Sequence, residues 1–234
     1  MVPLSFAGEE LLLTRGRALF WPREGALLVA DLHLEKASFF AGHNQFLPPY
    51  DSRETLERVA DAIRETGARR VITLGDNFHD AEGAGRLEPH ACGMLEALTR
   101  AVDWVWITGN HDTGKDGKVA EARCGGTLVD ELELGGVVLR HIAKPGETKP
   151  EMSGHFHPRL QVTLNRRRIN RPCAVLGTRE GADRLILPSF GALTGGMPAN
   201  DPAILRALQP ADTIRAVLPA GDRLVQFPLW RRAA

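Results

Sequence analysis

Most of the residues able to do chemistry in this chain fall into five short phrases. They are Asp31-Leu32-His33, Gly75-Asp76-Asn77, Gly109-Asn110-His111-Asp112, a lone His141, and Gly154-His155-Phe156-His157. Carboxylate, amide and imidazole groups are donors that divalent metals accept. Alternate residues of an extended chain project to one side. Asp31 with His33, and His155 with His157, can therefore each aim two donors at a single cavity. The expected chemistry is metal-assisted.

Apolar runs lead into these phrases. Residues 27–30 run into Asp31, residues 70–74 into Gly75-Asp76, residues 104–107 into Gly109, and residues 137–139 precede His141. Such runs read as buried strands, and ligands sit at the carboxyl ends of strands in open α/β sheets. The intervening segments read as helices. Leu56, Val59, Ala60 and Ile63 recur at helical spacing after Asp51, whose side chain is expected to cap the first turn with Glu54 reaching back. Ala91, Met94, Leu95 and Leu98 make a second apolar face after Glu88-Pro89. Strand, helix, strand is the unit of a parallel sheet.

Upstream, residues 10–14, 17–21 and 26–31 read as short strands, and residues 35–40 as a short helix. The second half is strand-rich. Residues 127–134 and 137–141 flank Gly135-Gly136 as a hairpin. Leu160, Val162 and Leu164 alternate with Gln161, Thr163 and Asn165, and residues 174–176, 185–187, 214–218 and 224–227 read as further strands. No internal repeat or linker divides the chain, so residues 1–234 are read as one domain.

The chain carries 29 basic and 29 acidic residues, so its formal net charge is zero. A strongly basic nucleic-acid-binding body is excluded, although a local patch is not. Cys92, Cys124 and Cys173 stand far apart without a Cys-x-x-Cys pair, which favours a reducing compartment and supplies no thiolate metal site. No leader is evident at the start, and no apolar run approaches the ~20 residues of a membrane span. A cytoplasmic protein without a membrane partner is expected.

The ordered set of five phrases resembles the calcineurin-like metallophosphoesterases over roughly residues 27–158. Three flanking phrases look like one bacterial branch, the ligase-associated DNA-damage-response endonucleases. These are Asp31-Leu32-His33-Leu34-Glu35-Lys36, Pro48-Pro49-Tyr50-Asp51 and Leu187-Pro188-Ser189-Phe190-Gly191. The resemblance implies a four-layer α/β/β/α sandwich, two stacked mixed sheets flanked by helices. It implies that Asp31, His33, Asp76 and His157 hold one metal, and that Asp76, Asn110, His141 and His155 hold a second, with Asp76 bridging. Imidazole-rich ligation with two carboxylates suits two divalent transition-metal ions, Mn foremost, with Fe, Zn or Ni as alternatives. Such a pair serves hydrolysis by acidifying a water and clamping a phosphoryl group.

The resemblance further implies that His111 protonates the leaving oxygen or stabilises charge. Asp112 either orients His111 or caps the next turn. Some relatives carry Gly-Asp-x-x-Asp, whose last Asp orients the catalytic His. Here His79 holds that place and Asp80 follows it, so the orienting group is left open. Lys36, Arg166, Arg167, Arg168 and Arg171 are candidate contacts to substrate phosphate, set against a solvated helix end and a charged hairpin tip. His43 and His90 read as surface residues, and Thr194-Gly195-Gly196 offers backbone amides. The implied activity is phosphodiester hydrolysis on DNA in repair, associated with a DNA ligase and a helicase. The alternatives are a phosphomonoesterase or cyclic-nucleotide phosphodiesterase on a small substrate, and a non-catalytic protein-binding scaffold.

Overall fold

The computed structural model describes residues 1–114, 124–164 and 166–232. Asn165, expected at the end of an alternating strand, lies outside the described residues. Two seven-stranded sheets form within them. The first follows chain order: β1 (Val2–Phe6), β2 (Glu9–Leu13), β3 (Leu19–Trp21), β4 (Ala26–Val29), β5 (Arg70–Leu74), β6 (Asp103–Ile107) and β7 (Thr127–Val129). Strands β4 to β7 run parallel, while β1 to β4 are joined antiparallel. Every residue of β4 is buried, as a strand covered on both faces requires.

The second sheet begins with the hairpin β8 (Glu131–Leu134) and β9 (Val137–Arg140), followed by β10 (Glu151–Ser153). A separate two-stranded hairpin, β11 (Arg159–Leu164) and β12 (Arg167–Pro172), comes next. Strands β13 (Ala174–Thr178), β14 (Arg184–Ile186), β15 (Thr213–Ala220) and β16 (Arg223–Arg231) complete the sheet in the order 16-15-13-14-10-9-8.

Three apolar layers make this a four-layer sandwich. Leu28, Ile72, Val105 and Ile107 of the first sheet face Leu139, Met152, Leu176 and Leu185 of the second. The opposite face of the first sheet, with Val29, Val71, Trp104 and Trp106, is covered by Leu56 and Val59 of α2 (Asp51–Thr66) and by Ala91 and Leu95 of α3 (Pro89–Ala101). Ile204, Ala207 and Leu208, on or just past α4 (Pro202–Ala207), cover Val175, Ile186 and Ile214 on the outside of the second sheet. A short helix, α1 (Lys36–Ala41), lies between β4 and α2.

Three local expectations need correction. The strand expected over residues 127–134 is two strands in different sheets. It breaks at Asp130, whose carboxylate accepts the Thr108 hydroxyl at 2.9 Å. The N-cap of α2 is Tyr50 without a side-chain bond; Asp51 instead accepts the Ala37 amide at 3.2 Å and ties α1 to α2. The third concerns Asp31, which is not the end of an extended strand. Its φ is 54°, and β4 stops at Val29.

Candidate metal centre

Each phrase sits where a strand ends, and in three of the five the chain turns left-handed. Asp31, His33, Asp76, His155 and His157 have φ of 54°, 44°, 48°, 74° and 48°. Asp and His are among the few residue types that enter this region with any frequency. The pairs therefore converge through turned backbone rather than through extended alternation. Main-chain bonds hold the turns: the amides of Asp31, His33 and Leu34 donate to Gly75, Asp76 and Asn77 at 3.1, 2.9 and 2.9 Å. Glycine is needed where these loops meet. A Cβ on Gly109 would lie 2.1 Å from the Asp76 nitrogen, and one on Gly75 would lie 2.5 Å from the His141 ring.

The donors gather into two groups that share Asp76. Asp31, His33, Asp76 and His157 form one, and Asp76, His141 and His155 the other. In the first, His157 Nε2 lies 3.2 Å from His33 Nε2 and 3.3 Å from Asp31 Oδ1. In the second, His141 Nε2 lies 3.3 Å from Asp76 Oδ1, 3.1 Å from His155 Nδ1 and 3.0 Å from Asn110 Oδ1. Two donors each about 2.1 Å from one ion, at tetrahedral or octahedral angles, stand about 2.9–3.4 Å apart. The observed spacings match that requirement, and the donor set fits two divalent ions.

The electrostatics agree. Burial opposes charging of Asp76, but the His141 ring and the His111 amide outweigh it and hold the carboxyl well below its usual range. Burial likewise opposes charging of His141, yet Asp76 and Asp31 raise it to about 9. Burial, and then the facing His157, push His33 down to about 2, leaving it neutral as a ligand must be. The His141 Nδ1 lies 2.9 Å from the Leu74 carbonyl, which can only accept. The proton is thus fixed on Nδ1, and Nε2 faces the centre.

His111 stands on the rim with its side chain 42% exposed. Its amide donates to Asp76 Oδ1 at 3.0 Å, and its Nδ1 lies 2.9 Å from the His79 carbonyl oxygen. That carbonyl, rather than a carboxylate, orients the ring. Asp80 is engaged elsewhere, 2.8 Å from Arg86. Asp112 is fully buried and braces the loops: it accepts the amides of Gly109 at 2.7 Å and Phe78 at 2.9 Å, and the Asn77 side chain at 3.1 Å.

His79 and Glu35 went unassigned in the sequence. The His79 ring stacks on His111 with centroids 5.6 Å apart and meets His33 edge-on at 5.7 Å. Burial, then Lys36 and His111, lower it to about 4. Its position three residues after Asp76 was the available signal. Glu35 is buried, and its carboxylate accepts the Ser52 hydroxyl at 2.7 Å. The flanking phrases thus acquire roles, since Phe190 and Gly191 also donate to the carbonyls of Ala30 and Asp31 at 2.7 and 3.1 Å.

The remaining candidates separate. Lys36 is half-buried beside His33 and His79. Arg166, Arg167 and Arg168 are exposed at the tip of the β11–β12 hairpin. Arg171 pairs with Leu160 near its base, a few residues from His157. His43 and His90 are exposed.

A family model, calcineurin-like phosphoesterase, matches residues 26–218. The crystal structure of the Pseudomonas putida nuclease MPE is similar over 92% of this chain and 95% of that one, with 30% identity and a TM-score of 0.67. YfcE, a phosphoesterase from E. coli, is 15% identical with a TM-score of 0.44, over 87% of this chain and 98% of that one. No curated protein sequence matches the chain.

Proposed function

Given that this chain belongs to the calcineurin-like phosphoesterase family and is a metal-dependent hydrolase, we propose that it is a dimetal phosphodiesterase that cleaves DNA. The observation carrying the reading is the pair of donor groups sharing Asp76, with His111 on their rim. Asp31, His33, Asp76 and His157 would hold one ion, and Asp76, Asn110, His141 and His155 the other. Mn is the first choice, with Fe, Zn or Ni as alternatives. When bound, the two ions would acidify a water and neutralise charge on the attacked phosphate.

The chain's own groups do the rest. His111 keeps a proton on Nδ1 through the His79 carbonyl, which leaves Nε2 to carry the proton given to the departing oxygen. Asp112 keeps Asn110 and His111 on station by fastening the Gly109 amide. DNA is favoured over small esters by the likeness to a nuclease at 30% identity and by exposed arginines beyond His157. In that role the protein would act in the cytoplasm in DNA repair, beside a DNA ligase and a helicase.

The test is a side-by-side assay with added Mn of an aryl phosphomonoester, an aryl phosphodiester and labelled DNA of several end structures. The proposal expects cleavage of DNA and the diester over the monoester. Preference for the monoester with no DNA cleavage under any metal would replace it with a phosphatase reading.

A further inference from the structure

The donors occupy one end of the sandwich, and so does a second, unassigned feature. The turn from β2 to β3 carries Arg15 and Arg17. Because Leu19 pairs with both Leu13 and Leu28, that turn lies at the end of the sheet where β4 runs out to Asp31. In the second sheet the start of β13 and the ends of β14 and β15 lie together, since Val175 pairs with Ile186 and Ala174 with Val217. Strand β14 runs parallel to β10, which leads to His155.

Between these ends is a cavity of about 640 Å³ lined by Arg15, Arg17, Arg159 and Arg171, with Thr194 and Cys173. No described residue lining it is acidic. Its size is that of a pocket for a nucleotide-sized group.

Two of these guanidiniums are positioned by neutral acceptors, which aim a cation without cancelling it. Arg17 Nη1 donates to the Ser189 carbonyl at 2.9 Å. Arg159 Nε donates to Asn170 Oδ1 at 2.8 Å, and its Nη2 to the Asn170 carbonyl at 3.2 Å. Arg15 reaches exposed Asp222 at 2.9 Å, a rim pair that salt screens. Burial first, then Arg58 and Arg159, lower Arg17 to about 10, with Glu54 opposing. Arg17 also holds a left-handed φ of 78°, a conformation a glycine would adopt without strain.

Two of the lining arginines are linked to residues beside the metal centre. Arg159 is two residues beyond His157, so their Cα atoms are at most roughly 7 Å apart. Ser189, which holds Arg17, bridges Ala30 next to Asp31. Arg166, Arg167 and Arg168 lie five strand steps away at the hairpin tip, roughly 17 Å out.

We propose that this arginine-lined cavity is a phosphate subsite that takes a backbone phosphodiester of a polynucleotide strand, next to the one held at the metal centre. It rests on the nuclease reading and gives that reading a strand path. Guanidinium groups grip phosphate oxygens through paired N–H donors, and each such contact adds to the salt dependence of binding.

The experiment measures single-stranded oligonucleotide binding to the full chain across salt concentrations, for wild type and for Arg17→Gln, Arg15→Gln and Arg171→Gln. Arg15 and Arg171 are exposed, so their replacement leaves the core intact even if Arg17→Gln fails to fold. Arg53→Gln, on the exposed face of α2, is the control. The log–log salt slope should flatten by about 0.7 for each cavity arginine removed and stay unchanged in the control. A strand with one neutral methylphosphonate linkage beside the cleaved position should bind the wild type more weakly, with a smaller loss in the variants. Slopes equal to wild type in every cavity variant would overturn the subsite while leaving the nuclease reading intact. Failure of the wild type to bind any oligonucleotide would overturn both. Displacement of the strand by micromolar inorganic phosphate would assign the cavity to free phosphate instead.

Discussion

At the scale of single residues, the site combines donors under conformational strain with loops braced from behind. A left-handed non-glycine residue costs on the order of 1–3 kcal/mol and persists only where its surroundings over-determine it. Asp76 and four other such residues make up most of the two donor groups that share its carboxylate. Their types were legible in the sequence because Asp and His at strand ends are conspicuous. Their backbone was not, because Asp and His enter the left-handed region without the glycine that would advertise it. His111 and Asp112, adjacent in the chain, should behave differently. His111→Ala should keep its metal while the maximal rate falls ~10²–10⁴-fold, the usual worth of a positioned acid. The loss should shrink with a very acidic leaving group; an equal loss for every leaving group would indicate charge stabilisation instead. Asp112→Ala removes an acceptor shared by three buried N–H groups, and hydrogen bonds to a charged group contribute about 1.5–3 kcal/mol each. Its urea midpoint should drop well below that of His111→Ala. Equal midpoints would remove the bracing role.

At the scale of elements, apolar periodicity located the central strands and the two covering helices, because those strands are buried through much of their length and those helices along one face. It failed where burial is partial or charged. Strand β1 alternates around Pro3, β10 is three residues long and includes a glutamate, and β12 is largely arginine and asparagine. Strand β14 begins with Arg184, 1% exposed, which no hydropathy pattern would place inside. It lies 3.1 Å from Glu151 of β10, also 1% exposed, and donates to the carbonyls of Ala207 and Gln209 at 2.6 and 3.0 Å. This network fastens α4 to the second sheet. Removing one partner of a buried pair costs about 3–5 kcal/mol, even though Glu151 keeps the Lys144 amide at 2.8 Å and Arg140 at 4.0 Å. Arg184→Leu should therefore lose stability of that size in chemical denaturation, and adding Glu151→Gln should recover part of it. A loss under 1 kcal/mol for Arg184→Leu would show that the pair is not what holds the helix.

At the scale of the whole molecule, the metal centre belongs to neither sheet alone. Asp31, His33, Asp76 and Asn110 follow strands of the first sheet, whereas His141, His155 and His157 follow strands of the second. The order of phrases along the chain marked the candidate donors, and the family resemblance implied how they divide between two metals. How the two sheets stack to join its halves was known only through family resemblance, since periodicity does not encode which faces meet. Ions bound across the two sheets should stabilise the fold, by about 2.7 kcal/mol at a hundredfold excess over their dissociation constant. Thermal unfolding should accordingly shift upward with Mn and fall with chelation, and a midpoint indifferent to both would deny the coupling. The central claim is that one carboxylate joins two metal positions, and counting metal ions per chain tests it most directly. Wild type should hold two, His33→Ala should mainly empty one, and Asp76→Asn should deplete both. Two ions per chain and full activity in Asp76→Asn would contradict the claim.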